Sequence, residues 1–363
     1  MMCITKKDKK TDGRMTPFDA KVKGTFAEPP AEKKEPPRGP TPQEQKANNT
    51  AMVEFAREKS SVEGWIPLFR GELEEMNRGK RGRPYDYCDS MIMWILSIMT
   101  LNSSTFRCTA GFAAGILKSH GLKAPSYSRL HERAAELLDS MISDSVSKKT
   151  ILAIKASGTV REMERNVGID SSGFNLSDTT LWRNTKWGTG PKKKGWLKLH
   201  ALCDTDTGEI IAYAITGERV GDSPLLKPLL EAAVKAGHRI GRVYADGAYG
   251  SIDNFEYVCG TLGKEFVTSF RVDTQPKNHG SSHRGKAVRL WCELPYREWV
   301  RVSGYGRRWK SECTFSDLKR IFRETLNAHT VKGAVRRLIL KTETFNQYKA
   351  KRWEIIQDSK ALA

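Results

Sequence analysis

The chain has 363 residues, a length that predicts two domains with tails and a core that needs neither disulfide bonds nor a structural metal. Its 61 Lys and Arg residues outnumber its 42 Asp and Glu residues by 19, which points to a polyanionic partner such as nucleic acid or an acidic membrane surface. The longest strongly apolar run, residues 91–99, is far too short to cross a bilayer, so membrane insertion is not expected and nucleic acid is the favoured partner.

The first 50 residues predict a disordered, net basic tail. They hold seven of the 15 prolines, many Lys and Glu residues and almost no large apolar residue. Residues 1–20 contain no apolar segment of the kind found in secretory signals, so a cytoplasmic location is expected. The seven cysteines are scattered and form no C-x-x-C pair, which favours reduced thiols over a zinc site or a disulfide framework.

Hydrophobic periodicity divides the rest of the chain into a helical domain over 51–150 and an α/β domain over 160–350, followed by a tail over 351–363. In the helical domain, apolar residues recur at helical spacing over 88–101, 106–117 and 130–142. In the α/β domain, strands are predicted over 167–170, 197–204, 210–215, 242–245 and 266–270, a further β segment over 288–302, and helices over 225–236, 252–261 and 306–324. This order predicts a mixed sheet with flanking helices.

Two of the helical segments resemble a loose helix-turn-helix unit. A connection over 121–125 separates them, and Ser126 or Ser128 would cap the second helix. In this arrangement Arg129 and Arg133 would face DNA. The connection is longer than the usual turn of about three or four residues, so a plain packing bundle is an equal alternative.

Two acidic residues stand at the ends of predicted strands. Asp170 ends the first strand of the α/β domain, and Asp246 follows the fourth. Side chains at the carboxyl edge of an open α/β sheet face the ligand crevice, so the two carboxylates could meet although 76 positions separate them. The predicted helix over 306–324 supplies a third acid, Glu312, which would complete a metal site.

Cations flank Glu312 on the same helix. Arg308 and Lys319 stand four residues before it and seven after it, which places all three on one stripe, and Tyr305 lies near that face if the helix extends back to it. A carboxylate flanked by cations suits a site that holds divalent metal and grips phosphates. Taken alone, the stripe could equally be a solvated, salt-bridged helix face.

The spacing of these residues resembles the Y-R-E-K signature of the DDE transposases of bacterial and archaeal insertion sequences, of the insertion sequence four and five type. The matching pattern is Tyr305-x2-Arg308-x3-Glu312-x6-Lys319. With Asp170 and Asp246 it is similar to the full Asp-Asp-Glu triad of that family. The resemblance extends over about 85–350, because the helical segment that begins at 82–85 is similar to the N-terminal helical region of the branch related to insertion sequence five. The interval before Glu312 leaves room for only a small insertion.

The resemblance implies a ribonuclease H-like catalytic fold and a DNA transposase that cleaves DNA at element ends and transfers the strands into target DNA. It implies two Mg²⁺ ions, which Mn²⁺ can replace, held by Asp170, Asp246 and Glu312. It also implies DNA contacts near the scissile phosphate from Tyr305, Arg308 and Lys319. A homodimer assembled on the terminal inverted repeats, and a nucleoid-associated location, are expected on the same ground.

A basic, tryptophan-rich segment follows the first predicted strand of the α/β domain. It runs from Trp182 to His200 and is a candidate DNA contact, since basic side chains bind phosphates and tryptophans stack on bases. Its basic residues are Arg183, Lys186, Lys192, Lys193, Lys194 and Lys198, and its tryptophans are Trp182, Trp187 and Trp196. The alternative is a solvated loop whose tryptophans are anchored in the core.

Two further groups of polar residues are noted. Lys198 and His200 alternate on the second predicted strand and can point toward the metal site, while a hydrogen-bonded structural role for His200 is an equal alternative. The C-terminal helices carry four basic residues for which a charged, solvated face is expected: Arg336, Arg337, Lys341 and Lys349.

Two other functions fit the same residues. A metal-dependent DNA nuclease of the same fold would nick DNA without joining strands. A catalytically inactive, domesticated copy would only bind DNA, with the salt-dependent affinity expected of a basic chain.

Overall fold

The N-terminal half of the described chain is helical. The computed structural model describes residues 41–142, 151–176, 196–276, 282–328 and 330–361. Its first helices are α1 (Pro42–Ser60), α2 (Ile66–Asn77), α3 (Asp89–Leu101), α4 (Phe106–Ser119) and α5 (Tyr127–Asp139). The three helices predicted from apolar spacing are confirmed as α3, α4 and α5. Ser126 is the N-cap of α5, because its side chain accepts a hydrogen bond from the amide of Arg129.

The most apolar run of the sequence forms a buried helix. Nine residues of α3 are buried, all of them between Met91 and Thr100. A helix that is apolar around its whole circumference must be covered on every side, and α3 is covered by its neighbouring helices. Among the described helices, none has both the length and the apolar character that a membrane crossing requires.

The rest of the described chain builds one mixed sheet. Its strands are β1 (Ile151–Ala156), β2 (Arg165–Asn175), β3 (Trp196–Asp204), β4 (Ile210–Gly217), β5 (Ile240–Ala245) and β6 (Phe266–Thr268). The spatial order is β1-β4-β3-β2-β5-β6. Neighbours from β1 to β2 pair antiparallel, whereas β2 with β5 and β5 with β6 pair parallel. The five predicted strands and the mixed sheet are confirmed, and β1 is an edge strand that the periodicity did not predict.

Helices connect and flank the strands. They are α6 (Leu226–Lys235), α7 (Ile252–Phe255, continued by a π-helical turn over Glu256–Thr261), α8 (Ser282–Glu293), α9 (Tyr296–Ser303), α10 (Trp309–Phe322) and α11 (Val331–Ala361). The prediction of a β segment over 288–302 is wrong, since α8 and α9 occupy it. The cause is packing: the rings of Trp291 and Trp299 meet with centroids 4.7 Å apart, and Trp299 also packs on Tyr305 at 4.9 Å. Trp299 and Tyr305 also pack with Tyr244 and Val267 of the sheet, and this tertiary packing outweighs the local β preference of the run.

Both segments predicted as tails contribute helix. Residues 1–40 lie outside the described part, but α1 begins inside the 1–50 segment because Ala51 and Phe55, farther along the same helix, are buried in the core. At the other end, α11 runs through 351–361, and Arg352 on it is only 8% exposed. Contacts group residues 44–363 into one unit.

The two faces of the sheet have different partners. Alternate side chains of β2 and β3, among them Phe174, Leu199 and Ala201, share a core with α1 to α5, α10 and α11. The opposite face, which includes Ile169 and Leu202, packs against α6 and α7. Helix α10 crosses β2 and β3 on the first of these faces. Its side chains can therefore lie next to the side chains that β2 and β3 present on that face.

The expectation of a solvated basic face on the C-terminal helices is wrong. Lys349 is 4% exposed and pairs with Asp317 at 2.8 Å, while the Lys341 ammonium donates to two backbone carbonyl oxygens. Arg336 binds both oxygens of the Asp139 carboxylate, at 2.6 and 2.8 Å, and Arg337 stands over the Phe106 ring. The physical reason is that α11 lies between the N-terminal helices and the sheet, so its sides are covered by protein rather than by water.

Candidate active site

Two neighbouring parallel strands bring Asp170 and Asp246 to the same level of the sheet. The pairing of β2 with β5 ends at Ile169 and Ala245, and each aspartate is the next residue of its strand. Asp170 does not end its strand, as the sequence predicted, because β2 continues to Asn175 through its pairing with β3. The two carboxylates nevertheless start from adjacent backbone positions at the carboxyl edge of the parallel pair.

Local hydrogen bonds hold both aspartates. Asp170 Oδ1 accepts the amide of Ser171 at 2.8 Å, and Asp246 Oδ1 accepts the amide of Gly247 at 2.7 Å. A Cβ at 247 would lie 3.1 Å from the carbonyl oxygen of Ser269, so glycine allows the turn to pack closely against that residue. The Asp246 backbone is fixed from the other side as well, since Thr268 donates its hydroxyl to the Asp246 carbonyl at 2.8 Å.

Glu312 reaches the same region from α10. This helix approaches β2 so closely that a Cβ at Gly168 would lie 3.4 Å from the Ser311 side chain, which is fully buried. Gly168 and Asp170 are two residues apart on one strand and therefore share a face, so the residue after Ser311 lies on the Asp170 side of the sheet. Glu312 Oε1 is 2.5 Å from Arg308 Nη2, one helical turn away.

The three acids act on one another electrostatically. Burial raises the pKa of Asp170, and the carboxylates of Glu312 and Asp246 raise it further, whereas the Ser171 amide and Arg308 lower it. Acidic oxygens are the ligands that Mg²⁺ prefers, so the donor set fits such an ion by its chemistry. Within the described ranges, however, no group of three or more His, Cys, Asp or Glu side chains is arranged closely enough to hold a metal ion.

Replacing Asp170 with asparagine is expected to raise the free energy of unfolding near neutral pH by about 0.5 to 2 kcal/mol, in the range typical of relieving a destabilised site. The raised pKa means that the ionised Asp170 carboxylate destabilises the folded state. This loss of stability is fully present at pH values above the folded-state pKa. It disappears as the pH falls below the ordinary pKa of an unfolded-chain aspartate, where both states are protonated.

Urea unfolding in a chelating buffer, compared between about pH 7.5 and pH 4, measures this difference. The exposed Asp253 provides the control, since Asp253→Asn should leave stability unchanged at both pH values. Equal stability of Asp170→Asn and the wild type near neutral pH would contradict the prediction.

The remaining signature residues lie on or before α10. Tyr305 belongs to a 3-10 turn, Tyr305–Arg308, rather than to the α-helix, so the helical-stripe geometry does not apply to it. Its ring still lies 5.5 Å from the Arg308 guanidinium, and its hydroxyl donates to Ser269 Oγ at 3.1 Å. Lys319 is farther along the helix, 5.3 Å above the Phe174 ring and 3.6 Å from a carboxylate oxygen of Glu324.

Most of the basic, tryptophan-rich segment lies outside the residues that the structure describes. Arg183, Lys186, Lys192, Lys193 and Lys194 lie outside the described residues, as do Trp182 and Trp187. Trp196 begins β3 and lies over Gly173, 39% exposed.

Lys198 and His200 are on the face of the sheet opposite Asp170. In the pairing of β2 with β3 they lie across from Gly173 and Ser171, which alternate with Asp170. His200 is fully buried, with Nε2 2.9 Å from Thr216 Oγ1, which favours the structural alternative for this residue.

Arg129 and Arg133 lie on α5 among acidic partners. Arg129 pairs with Glu132 at 3.1 Å, and Arg133 pairs with Asp89 and Glu136. Arg129 keeps 45% of its side chain exposed, whereas Arg133 keeps 19%. A DNA contact by either arginine remains a prediction.

Sequence reasoning missed Asp222 and Tyr249. The sequence before Pro224 predicts a helix capped by Asp222 or Ser223, yet the Asp222 side chain makes no capping hydrogen bond and lies 2.6 Å from Lys198 Nζ instead. Tyr249 is buried directly after the Asp246 turn. The alternation of Lys198 and His200 was the available signal, since two polar residues on one face of a core strand need a buried partner.

Two family models match parts of this chain. Residues 163–354, more than half of the chain, match a family model described as "Transposase DDE domain", and residues 62–175 match a second model with the same description. Among solved structures, the chain is similar to one titled "Drosophila P element transposase strand transfer complex". That likeness has 12% identity over 77% of this chain and 70% of the other, and its TM-score of 0.28 is too low to carry a conclusion. On the match of residues 163–354, the chain belongs to the DDE transposase family and is a DDE-type transposase enzyme.

Proposed function

We propose that this transposase cleaves DNA at element ends and joins those ends to target DNA, using Asp170, Asp246 and Glu312 to hold two divalent ions, Mg²⁺ or Mn²⁺. The observation that carries the proposal is geometric: Asp170 and Asp246 follow the last paired residues of neighbouring parallel strands, and Glu312 lies on α10, which packs on the Asp170 face. Three carboxylates on one side of a sheet favour a divalent cation between them. DDE transposase domains generally use divalent metal ions, in line with this need.

The sheet supports a ribonuclease H-like assignment. Three antiparallel strands, β2 to β4, are followed by β5 and β6, which add in parallel on the other side of β2. In this arrangement β2, the first of the three antiparallel strands, lies inside the sheet, and Asp170 lies on β2. The subtype with the Y-R-E-K signature is part of the same proposal, on the spacing of Tyr305, Arg308 and Lys319 around Glu312.

When bound, a pair of divalent ions would activate the attacking oxygen and stabilise the leaving oxygen of a phosphodiester. The side chains of the protein bind and orient. Arg308 contacts Glu312 and stands over Tyr305, so a DNA phosphate would offer its guanidinium a second anionic partner. The Lys319 ammonium would likewise exchange Glu324 for a phosphate. Arg308 is therefore placed to hold the scissile strand next to the acids.

The wider DNA contacts are proposed from charge. Lys198, the segment that contains Arg183, Lys186, Lys192, Lys193 and Lys194, and the helical unit with Arg129 and Arg133 would bind terminal inverted repeats and target DNA. A homodimer that brings two ends together and a nucleoid-associated location complete the proposal.

The test is a cleavage and strand-transfer assay on a fragment that carries the element's own ends, with and without Mg²⁺. The proposal expects metal-dependent nicks at the ends and joined products. Nicks without joined products would identify a nuclease of the same fold. Salt-dependent binding without any cleavage would identify a DNA-binding copy and overturn the catalytic proposal.

A further inference from the structure

We propose that Asp222 is a positioning residue for the candidate metal-binding acids, because it ties the Ser171 side of β2 and the turn after Asp246 to strand β3. This inference rests on the proposed function, since it concerns the placement of Asp170 and Asp246. It assigns a role to a buried polar cluster on the opposite face of the sheet from Asp170.

Asp222 joins the loop after β4 to β3. Its Oδ1 lies 2.6 Å from Lys198 Nζ and 3.3 Å from His200 Nδ1. The contact with His200 is an ion-pair distance rather than an aligned hydrogen bond, and both atoms are buried. The second ring nitrogen of His200 is held by Thr216 of β4 at 2.9 Å, so the imidazole cannot turn away from Asp222.

Asp222 is an anion in this cluster. Burial alone would raise the pKa of its carboxyl, but the neighbouring side chains of His200, Lys198 and Ser171 hold the pKa well below its ordinary value. Ser171 is the residue after Asp170, and its amide donates to the Asp170 carboxylate. Ser171 also pairs across the sheet with His200, so the strand position that Asp222 contacts on β3 lies beside the residue that holds the first acid of the site.

A second connection leads to Asp246. The Asn254 side-chain amide donates to the Ser223 carbonyl and hydroxyl oxygens, each at 3.1 Å, and to the Tyr249 carbonyl at 2.8 Å. Ser223 follows Asp222, and Tyr249 ends the turn that begins after Asp246. Asn254 is 5% exposed, so the two segments are fastened to each other inside the protein.

The Tyr249 hydroxyl completes the cluster. It is buried, and no hydrogen-bond partner for it is found in the part of the chain that the structure describes. Burial raises the pKa of Tyr249, and the carboxylates of Asp222, Asp170 and Asp246 raise it further, so the hydroxyl stays protonated. The protonated hydroxyl is therefore available as a hydrogen-bond donor to these carboxylates.

The experiment compares Asp222→Asn, which keeps the shape and removes the charge, with Glu343→Gln. Glu343 is a matched anion on α11: it pairs with Lys155 at 2.8 Å and accepts the Tyr213 hydroxyl at 3.0 Å. One readout is hydrogen exchange of the free protein in peptides over 168–173 and 246–251. The other is the single-turnover cleavage rate at saturating DNA as the Mn²⁺ concentration is varied.

For Asp222→Asn we expect faster exchange in both peptides, a cleavage rate about 10- to 100-fold lower and a higher half-saturating Mn²⁺ concentration, with DNA affinity within about threefold of wild type. Glu343→Gln should leave these peptides and the Mn²⁺ dependence unchanged. Wild-type exchange at 168–173 and 246–251, or wild-type Mn²⁺ dependence, in Asp222→Asn would overturn the proposal.

Tyr249→Phe carries the same test if Asp222→Asn does not fold, because it keeps the buried ring and removes only the hydroxyl. Its matched control is Tyr213→Phe. A wild-type protein without metal-dependent cleavage would overturn the proposed function. An active wild type with an unaffected Tyr249→Phe variant would overturn only the positioning role.

Discussion

Asp246→Asn is expected to lower the rate of strand cleavage at element ends by at least about 1,000-fold, since a metal ion stabilises transition-state charge by several kcal/mol and each factor of ten corresponds to about 1.4 kcal/mol. Asparagine keeps the size of the side chain and can still accept the Gly247 amide, so the turn should persist. What it removes is the negative charge that a divalent ion requires.

The measurement is the single-turnover rate on an end fragment, with DNA affinity determined in parallel. Binding should be unchanged or slightly tighter, because the protein loses one negative charge near the DNA. Asp253→Asn is the matched control, an exposed aspartate seven residues away that should cleave at the wild-type rate. If Asp246→Asn cleaves DNA at a rate within about tenfold of wild type, Asp246 is not a catalytic residue.

Glu209→Ala is expected to lower the free energy of unfolding by about 3 to 5 kcal/mol, the usual cost of breaking a buried ion pair from one side. Glu209 is fully buried, 3.0 Å from Arg161 Nη2 and 3.4 Å from Arg165 Nη2. Arg165 is itself 2% exposed, so the substitution would leave a buried guanidinium short of negative charge. Urea unfolding at neutral pH measures the change.

A surface pair supplies the comparison for this prediction. Glu265 pairs with Arg242 at 2.5 Å, but the two side chains are 53% and 38% exposed. Glu265→Ala should therefore cost less than about 1 kcal/mol, because water replaces the lost partner. Similar losses in the two variants would show that burial does not control the energetics of these pairs.

The candidate acids could be found from the sequence because each one lies on, or directly after, a strand or helix that the sequence pattern predicts. Asp246 comes directly after an apolar strand, and the helix that carries Glu312 shows clear periodicity. These patterns depend only on residues close together in the sequence, so they can be recognised before the fold is known. The spacing of Tyr305, Arg308 and Lys319 is the basis of the subtype that we propose.

The role of Asp222 could not be predicted in the same way. Its position before Ser223 and Pro224 is typical of a helix start, which is how the pattern was interpreted. Its partners, Lys198 and His200, are more than 20 positions away and become neighbours only because β3 and β4 pair. The residues around Asp222 do not indicate that β3 and β4 pair.

The sequence by itself indicated the strands β2 to β6, three candidate acids and the basic character that suits DNA, because these depend on residue type and short-range spacing. Only the tertiary structure decided that 282–303 is a helical pair, that Lys341 and Lys349 are internal, and that the helix carrying Glu312 packs on the Asp170 face of the sheet. These features follow from packing between elements remote in the chain, where burial and charge pairing outweigh local preference.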